Sequence, residues 1–423
     1  MDKQNSKYRW IVFTAVLFTY FLIVSQRTAP GLITDQLMKD FNVSASTIGL
    51  LTSIQFLAYA SLQIPIGILS DRYGPNLFLI AGALLNGLGT LIYSAAPNEF
   101  VLLVSRALVG MGDATIWVNL VLILGQWFRV KEFVGLLGFA GMAGSLGFLL
   151  ATYPFSAWIA WSGWRPPFFT VGILLCLCGI LLYVVLVKRP NQLFKGHPEA
   201  VLQSEQERVR TFLMLKRIFS DRQAWATFFC HFGLVGTYVG FIGSWAVPYG
   251  MQMYGMSRSE VSQLMMIGLV GAIVGASLTT WIANRLESIK RPYMVVHLVV
   301  LVSWIAFLVF GGKPPFFMLA VLFFIIGYGN GASALTFAAV RQSFAMREVG
   351  VVSGFANTGG FISAILLPSI YGKVLDHFQP VSSGAGYTYG FIIPVVFAAL
   401  GVMGGFLLRE QRKESSKASG MSV

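Results

Sequence analysis

A chain of 423 residues that is 56% apolar and only 11% charged does not have the make-up of a water-soluble fold. Lipid must solvate most of its surface. The net charge of +13 is not a nucleic-acid stripe either, because Lys and Arg gather at the ends of apolar stretches instead of alternating with aromatics along one face.

Apolar runs long enough to cross about 30 Å of hydrocarbon as helices recur along the chain and predict an all-α membrane protein with twelve transmembrane helices. The first six are expected at about residues 10–37, 46–69, 77–96, 100–127, 132–159 and 167–188, forming an N-terminal bundle over 1–188. The first run is too long for a signal peptide and has no small-residue cleavage site after it, so it reads as a retained span. A polar segment, 189–222, carries Lys195, Glu199, Glu205, Arg208 and Lys216 and reads as a connector. The second six are expected at about 223–252, 259–284, 292–311, 315–341, 348–373 and 387–408, a C-terminal bundle over 223–408. The tail, 409–423, is too polar to fold alone and is expected to be disordered. Most Lys and Arg fall on the side of the termini and connector, which places both termini in the cytoplasm of a multi-pass cell-membrane protein, expected to be a monomer. Cys176, Cys178 and Cys230 lie inside apolar stretches and read as packed small hydrophobes, not as a disulfide or metal site.

The two bundles read as a duplication. Gly110, Gly112 and Asp113 in the fourth span have counterparts in Gly327, Gly329 and Asn330 in the tenth. Gly138-Phe139-Ala140 in the fifth recurs as Gly354-Phe355-Ala356 in the eleventh at nearly the same offset.

Between the second and third spans stands QIPIGILSDRYGPN, residues 63–76, with Gly67, Asp71, Arg72 and Gly74 spaced for a close helix approach, a charge near a helix end and a tight turn. This stretch resembles the signature loop of the major facilitator superfamily, with Pro75 and Asn76 standing where the family has a basic pair. Arg106, Gly110 and Gly112 are similar to the family's pattern in the fourth helix. The resemblance implies two six-helix bundles whose helices 1, 4, 7 and 10 line a central cavity, and a loop that latches the halves together in the outward-facing state. The fifth span carries Gly135, Gly138, Gly141, Gly144 and Gly147, a smooth face for close packing. It lacks the Gly-Pro pair of the antiporter subgroup, and Ala283-Asn284-Arg285 is a degenerate second copy of the signature loop.

Ions held at depth are expensive, roughly 2.5 to 3.5 kcal/mol each on insertion scales, and mark aqueous routes. Only Arg27, Arg106 and Asp113 fall well inside predicted spans, on helices 1 and 4. Arg106 and Asp113 share a helix face but stand about 10 Å apart along the axis, too far for easy direct pairing. Asp113 is the candidate proton carrier, with Arg106 beside it; a structural ion pair with Arg27 or Arg106 is the competing account. Arg27 offers a planar fork suited to a carboxylate. The seventh span has no arginine to complete a phosphate clamp. It offers His231, Tyr238, Trp245 and Tyr249, of which Tyr238, Trp245 and His231, with Asn330 and Asn357, are the further candidates for substrate contact. Packing of His231 and interfacial anchoring of Trp245 are the alternatives. Gln55 could line the pathway or bond between helices, and His297 lies on an outer helix.

No phosphate-cradling Gly-x-x-x-x-Gly-Lys loop and no metal-ligand spacing occurs, so neither an enzyme nor a cofactor is expected. The expectation is a proton-coupled secondary transporter of a small organic anion, a carboxylate or sugar acid, working by alternating access. An exporter of drugs or metabolites and a transporter-like receptor are the alternatives.

Overall fold

The computed structural model describes residues 6–190, 217–344, 346–378 and 384–409, so most of the expected connector and tail lies outside the described residues. Twelve helices among them are long and apolar enough to cross a membrane. They are α1 (Tyr8–Leu32), α2 (Ala45–Gln63), α3 (Pro75–Ala95), α4 (Glu99–Trp127), α5 (Phe139–Ser162) and α6 (Arg165–Lys188) in one half. The other half holds α7 (Arg222–Ile242), α8 (Arg258–Arg285), α9 (Lys290–Val309), α10 (Phe316–Ser343), α11 (Val351–His377) and α12 (Ala385–Leu407). The starts follow local chemistry. Asn98 and Ser257 accept a backbone N–H from three residues on, Asp221 accepts those of Gln223 and Ala224, and Pro75 opens α3, where its missing N–H costs nothing.

Several spans that read as continuous rods are broken. In α1 the α-helix stops at Arg27, a 3-10 turn covers Ala29–Leu32, and a short helix, Thr34–Phe41, lies beyond. Pro30 cannot donate to the preceding turn, which accounts for the stop. The α7 chain winds as a π-helix over Phe232–Gly236, ends at Ile242 and resumes as a short helix, Ala246–Tyr254. The two breaks touch: a Cβ on Gly31 would lie 2.4 Å from the Gly243 carbonyl oxygen. Conversely, the α2 helix runs on to Tyr73, so Asp71 and Arg72 occupy its last turn. The expected loop shrinks to Gly74, whose φ of 86° suits glycine.

The duplication has a packing meaning. Gly110 lies against the Gln55 carbonyl of α2 and Gly112 against the Gly82 carbonyl of α3, while Gly327 lies against the Gly268 carbonyl of α8 and Gly329 against Val300 of α9. Helices 4 and 10 thus occupy the same place in their halves, with missing side chains letting backbones meet where lipid offers no hydrophobic drive. The halves meet mainly along α2 with α11 and α5 with α8.

Candidate functional site

The three ions at depth form one assembly in the first half. Arg27 Nε donates to Asp113 Oδ2 at 3.1 Å, and Gln55 Nε2 donates to the same oxygen at 3.0 Å. Arg106, two turns from Asp113, reaches it through intermediaries: its Nη2 donates to the Gln55 carboxamide oxygen and, at 3.4 Å, to the Arg27 backbone carbonyl. The Arg106 guanidinium lies 5.4 Å from the Tyr93 ring and is buried. Gln26 donates to Asn86 at 2.9 Å on the far side of α1.

The pair has one sheltered and one open member. The Asp113 side chain is 1% exposed, that of Arg27 17%. Among the described residues neither terminal nitrogen of Arg27 has a hydrogen-bond partner, and the guanidinium lies 5.4 Å from the Tyr59 ring. Tyr59 in turn meets Phe361 of α11 at 4.5 Å. The ion pair therefore borders the space between the halves, while Arg106 stands behind it.

The remaining candidates are spread over the second half. His231 Nδ1 is 3.4 Å from the Thr336 hydroxyl, which also bonds Tyr293 at 2.7 Å, and the His231 ring bonds Asn357 and packs on Phe337. Asn330, at the repeat position of Asp113, is half-buried and makes no side-chain hydrogen bond among the described residues. Tyr238 is buried against Gly268. Trp245 is fully buried; its indole N–H donates to the Pro368 carbonyl at 3.1 Å and its ring stacks on Tyr371. His297 packs against Gly401 of α12, away from the other half.

Closure is one-sided. At the end remote from the termini, Arg258 pairs with Asp35 at 2.7 Å, Ser244 donates to Thr52 at 2.8 Å, and Asp376 accepts the N–H groups of Ala45 and Ser46. Gly49 abuts the Pro368 carbonyl there. At the opposite end a Cβ on Gly67, Gly141 or Gly354 would meet nothing within 4 Å. The signature segment makes no close approach at Gly67 in this conformation; of the glycines of α5, Gly144 packs on Tyr20 and Gly147 on the Phe21 carbonyl, while Gly141 meets nothing. Among the described residues, the hydrogen bonds and ion pairs between the halves gather toward the end remote from the termini.

Four residues in that space were not singled out from sequence: Tyr20, Tyr59, Trp117 and Phe361. Helical spacing carried the signal, since Tyr20 is seven residues before Arg27, Tyr59 four after Gln55 and Trp117 four after Asp113.

A family model described as Major Facilitator Superfamily matches residues 16–368. The probable L-galactonate transporter of Escherichia coli (strain K12) is 23% identical over 88% of this chain and 85% of its own length. The gentisate transporter of Corynebacterium glutamicum is 22% identical over 85% and 81%. The crystal structure of a bacterial homologue of the human lysosomal transporter Spinster, inward-facing and unoccupied, superposes with a TM-score of 0.75 at 18% identity, covering 96% of this chain and 98% of that one.

Proposed function

Because the chain belongs to the Major Facilitator Superfamily, we propose that it is a secondary transporter that imports a small organic anion, a carboxylate or sugar acid, together with a proton. The relatives named above for L-galactonate and gentisate, both organic anions, support the substrate class. The observation that carries the reading is the Arg27–Asp113 pair, whose cation keeps two unbonded nitrogens facing the space between the halves.

Those nitrogens suit a carboxylate, which takes a planar fork with two parallel hydrogen bonds. With Asp113 ionised, an incoming carboxylate and Asp113 would share one guanidinium, and the two acids would repel. With Asp113 protonated, Arg27 is left with an unneutralised charge that the anion satisfies. Proton and anion therefore favour each other's binding, and linkage makes the effect reciprocal. The arrangement fits an empty carrier in which Asp113 has given up its proton and neutralises Arg27. Gln55 and Arg106 hold Asp113 in place from behind, so Arg106 positions the carrier and does not itself move protons. The seal around Asp376 and Arg258 would alternate with a seal at Gly67, Asp71, Arg72 and Gly74 as the halves rock about the site. The face bearing the termini would be cytoplasmic, and one chain, holding both halves, would suffice for transport.

Uptake into proteoliposomes under an imposed inward proton gradient tests this. Accumulation of an organic acid by the parent and its loss in Arg27→Ala are expected; normal uptake by Arg27→Ala removes the anion site.

A further inference from the structure

We propose that the anion taken at Arg27 is an aromatic carboxylate, a planar ring carrying one carboxylate, and not a polyhydroxylated sugar acid. The proposal rests on the anion reading above and narrows it.

The ground is what surrounds the free side of the guanidinium. Rings reach that space from four helices. Tyr59 of α2 lies beside Arg27, with 5.4 Å between the guanidinium carbon and the ring centre, and meets Phe361 of α11 at 4.5 Å. Tyr20 of α1 lies on the face of that helix that carries Arg27, and its ring is 5.7 Å from Trp117 of α4. Trp117 is 38% exposed although it lies on the face of α4 that carries Asp113, turned from the side where Val104 and Met111 are exposed. In a span, exposure on that face is exposure to the space between the halves and not to lipid.

The polar inventory points the same way. A sugar acid brings several hydroxyl groups, each of which needs a partner once it leaves water. The carboxamides around the ion pair offer little: Gln55 is committed to Arg106 and Asp113, Gln63 bonds the Tyr59 hydroxyl, and Gln26 gives its amide to Asn86 and keeps its oxygen buried. Hydroxyls left against the rings would lose affinity by about tenfold each. A flat aromatic ring instead lies between Trp117 and Phe361 with its carboxylate on Arg27. Its edge and faces then meet the protein rings in offset or edge-on geometry. The Tyr20 hydroxyl can serve a ring substituent, which leaves room for a hydroxylated member of the class.

The test uses the full chain in proteoliposomes under an imposed proton gradient, with 4-hydroxybenzoate and gluconate as probes and protein-free liposomes to subtract passive leak. The expected result is a kcat/KM for 4-hydroxybenzoate at least about tenfold above that for gluconate. Trp117→Ala and Phe361→Ala should each cut that ratio by about tenfold, chiefly through KM, with Trp117→Phe restoring it. Should either alanine variant fail to fold, the preference of the parent decides. Gluconate carried as well as or better than 4-hydroxybenzoate overturns the aromatic assignment and leaves the anion reading standing. Carriage of neither overturns both. A ratio unchanged in both alanine variants overturns the role given to the rings.

Discussion

Asp376 at the end of α11 accepts the backbone N–H of Ala45 at 2.9 Å, so a carboxylate of one half caps the first turn of a helix in the other. The same carboxylate accepts the Ser46 N–H at 2.9 Å, which satisfies two of the donors that a helix start leaves open. The cap exists only while the outer end is shut.

Asp376→Ala should therefore tilt the carrier toward its outward-open state. A cap is worth about 0.5 to 2 kcal/mol, which corresponds to a shift of roughly 2- to 30-fold in the ratio of states. Ser53, buried between α2 and α11 with its hydroxyl 2.8 Å from that of Ser369, supplies the reporter. In a chain with Cys176, Cys178 and Cys230 replaced by alanine, Ser53→Cys should react faster with a polar thiol reagent once Asp376 is removed. Equal rates with and without Asp376 would show that the cap does not hold the end closed.

Asp113→Asn keeps a hydrogen-bonding side chain beside Gln55 and Arg27 but cannot cycle a proton. It should exchange external for internal anion yet fail to accumulate it when a proton gradient is imposed. Its affinity for the anion should also lose pH dependence. Counterflow and gradient-driven uptake, measured side by side, separate these; uphill uptake by the variant would assign coupling elsewhere.

The Gln55 side chain bonds both Arg106 and Asp113, and its loss leaves a buried guanidinium with fewer partners. Gln55→Leu should lower stability by about 1 to 3 kcal/mol, the penalty for orphaning a buried polar group. Thermal unfolding in detergent should fall accordingly, and anion uptake should fall with it because Asp113 is no longer held toward Arg27. An unchanged melting temperature would contradict the bridge.

Glycines divide into two kinds that mutation can tell apart. Gly110→Leu and Gly327→Leu force side chains into backbone, with Cβ positions 2.2 and 1.9 Å from carbonyl oxygens of the neighbouring helix, and should cost more than about 1 to 3 kcal/mol. Gly141→Leu and Gly67→Leu enter empty space and should leave folding intact, yet halt turnover because the face bearing the termini can no longer shut. Size-exclusion profiles and uptake rates measured on the four variants check both halves of the statement. Normal transport by Gly141→Leu would mean that this face never closes there.

The helices themselves could be read from the chain, because hydrocarbon tolerates no unpaired backbone and leaves a long apolar run little choice but to be a helix. The duplication was also legible, since Gly110 and Gly327 are needed wherever two helices touch at their backbones, and a missing side chain shows in any sequence. So was the short list of ions, Arg27, Arg106 and Asp113, whose cost at depth singles them out. Their partners were not. The chain set Arg106 and Asp113 two turns apart on one helix and marked Gln55 as able to line the pathway or bond between helices, but not as the residue that would join those two. Pro30 was there to be read as a helix breaker, but that the break it makes after Arg27 meets the break in α7 through Gly31 and Gly243 was not, because that contact lies between the halves.

What the sequence by itself determined is which residues must lie in the membrane and which of those are too costly to be there without purpose, since both follow from transfer free energies of single side chains. Which side chains face the gap, which end is shut, and that Tyr59 lies beside the Arg27 guanidinium, meeting Phe361, while Tyr20 meets Trp117 were decided only by the tertiary structure. Those depend on how helices distant in the chain rotate and cross, and that is set by the packing of all of them together.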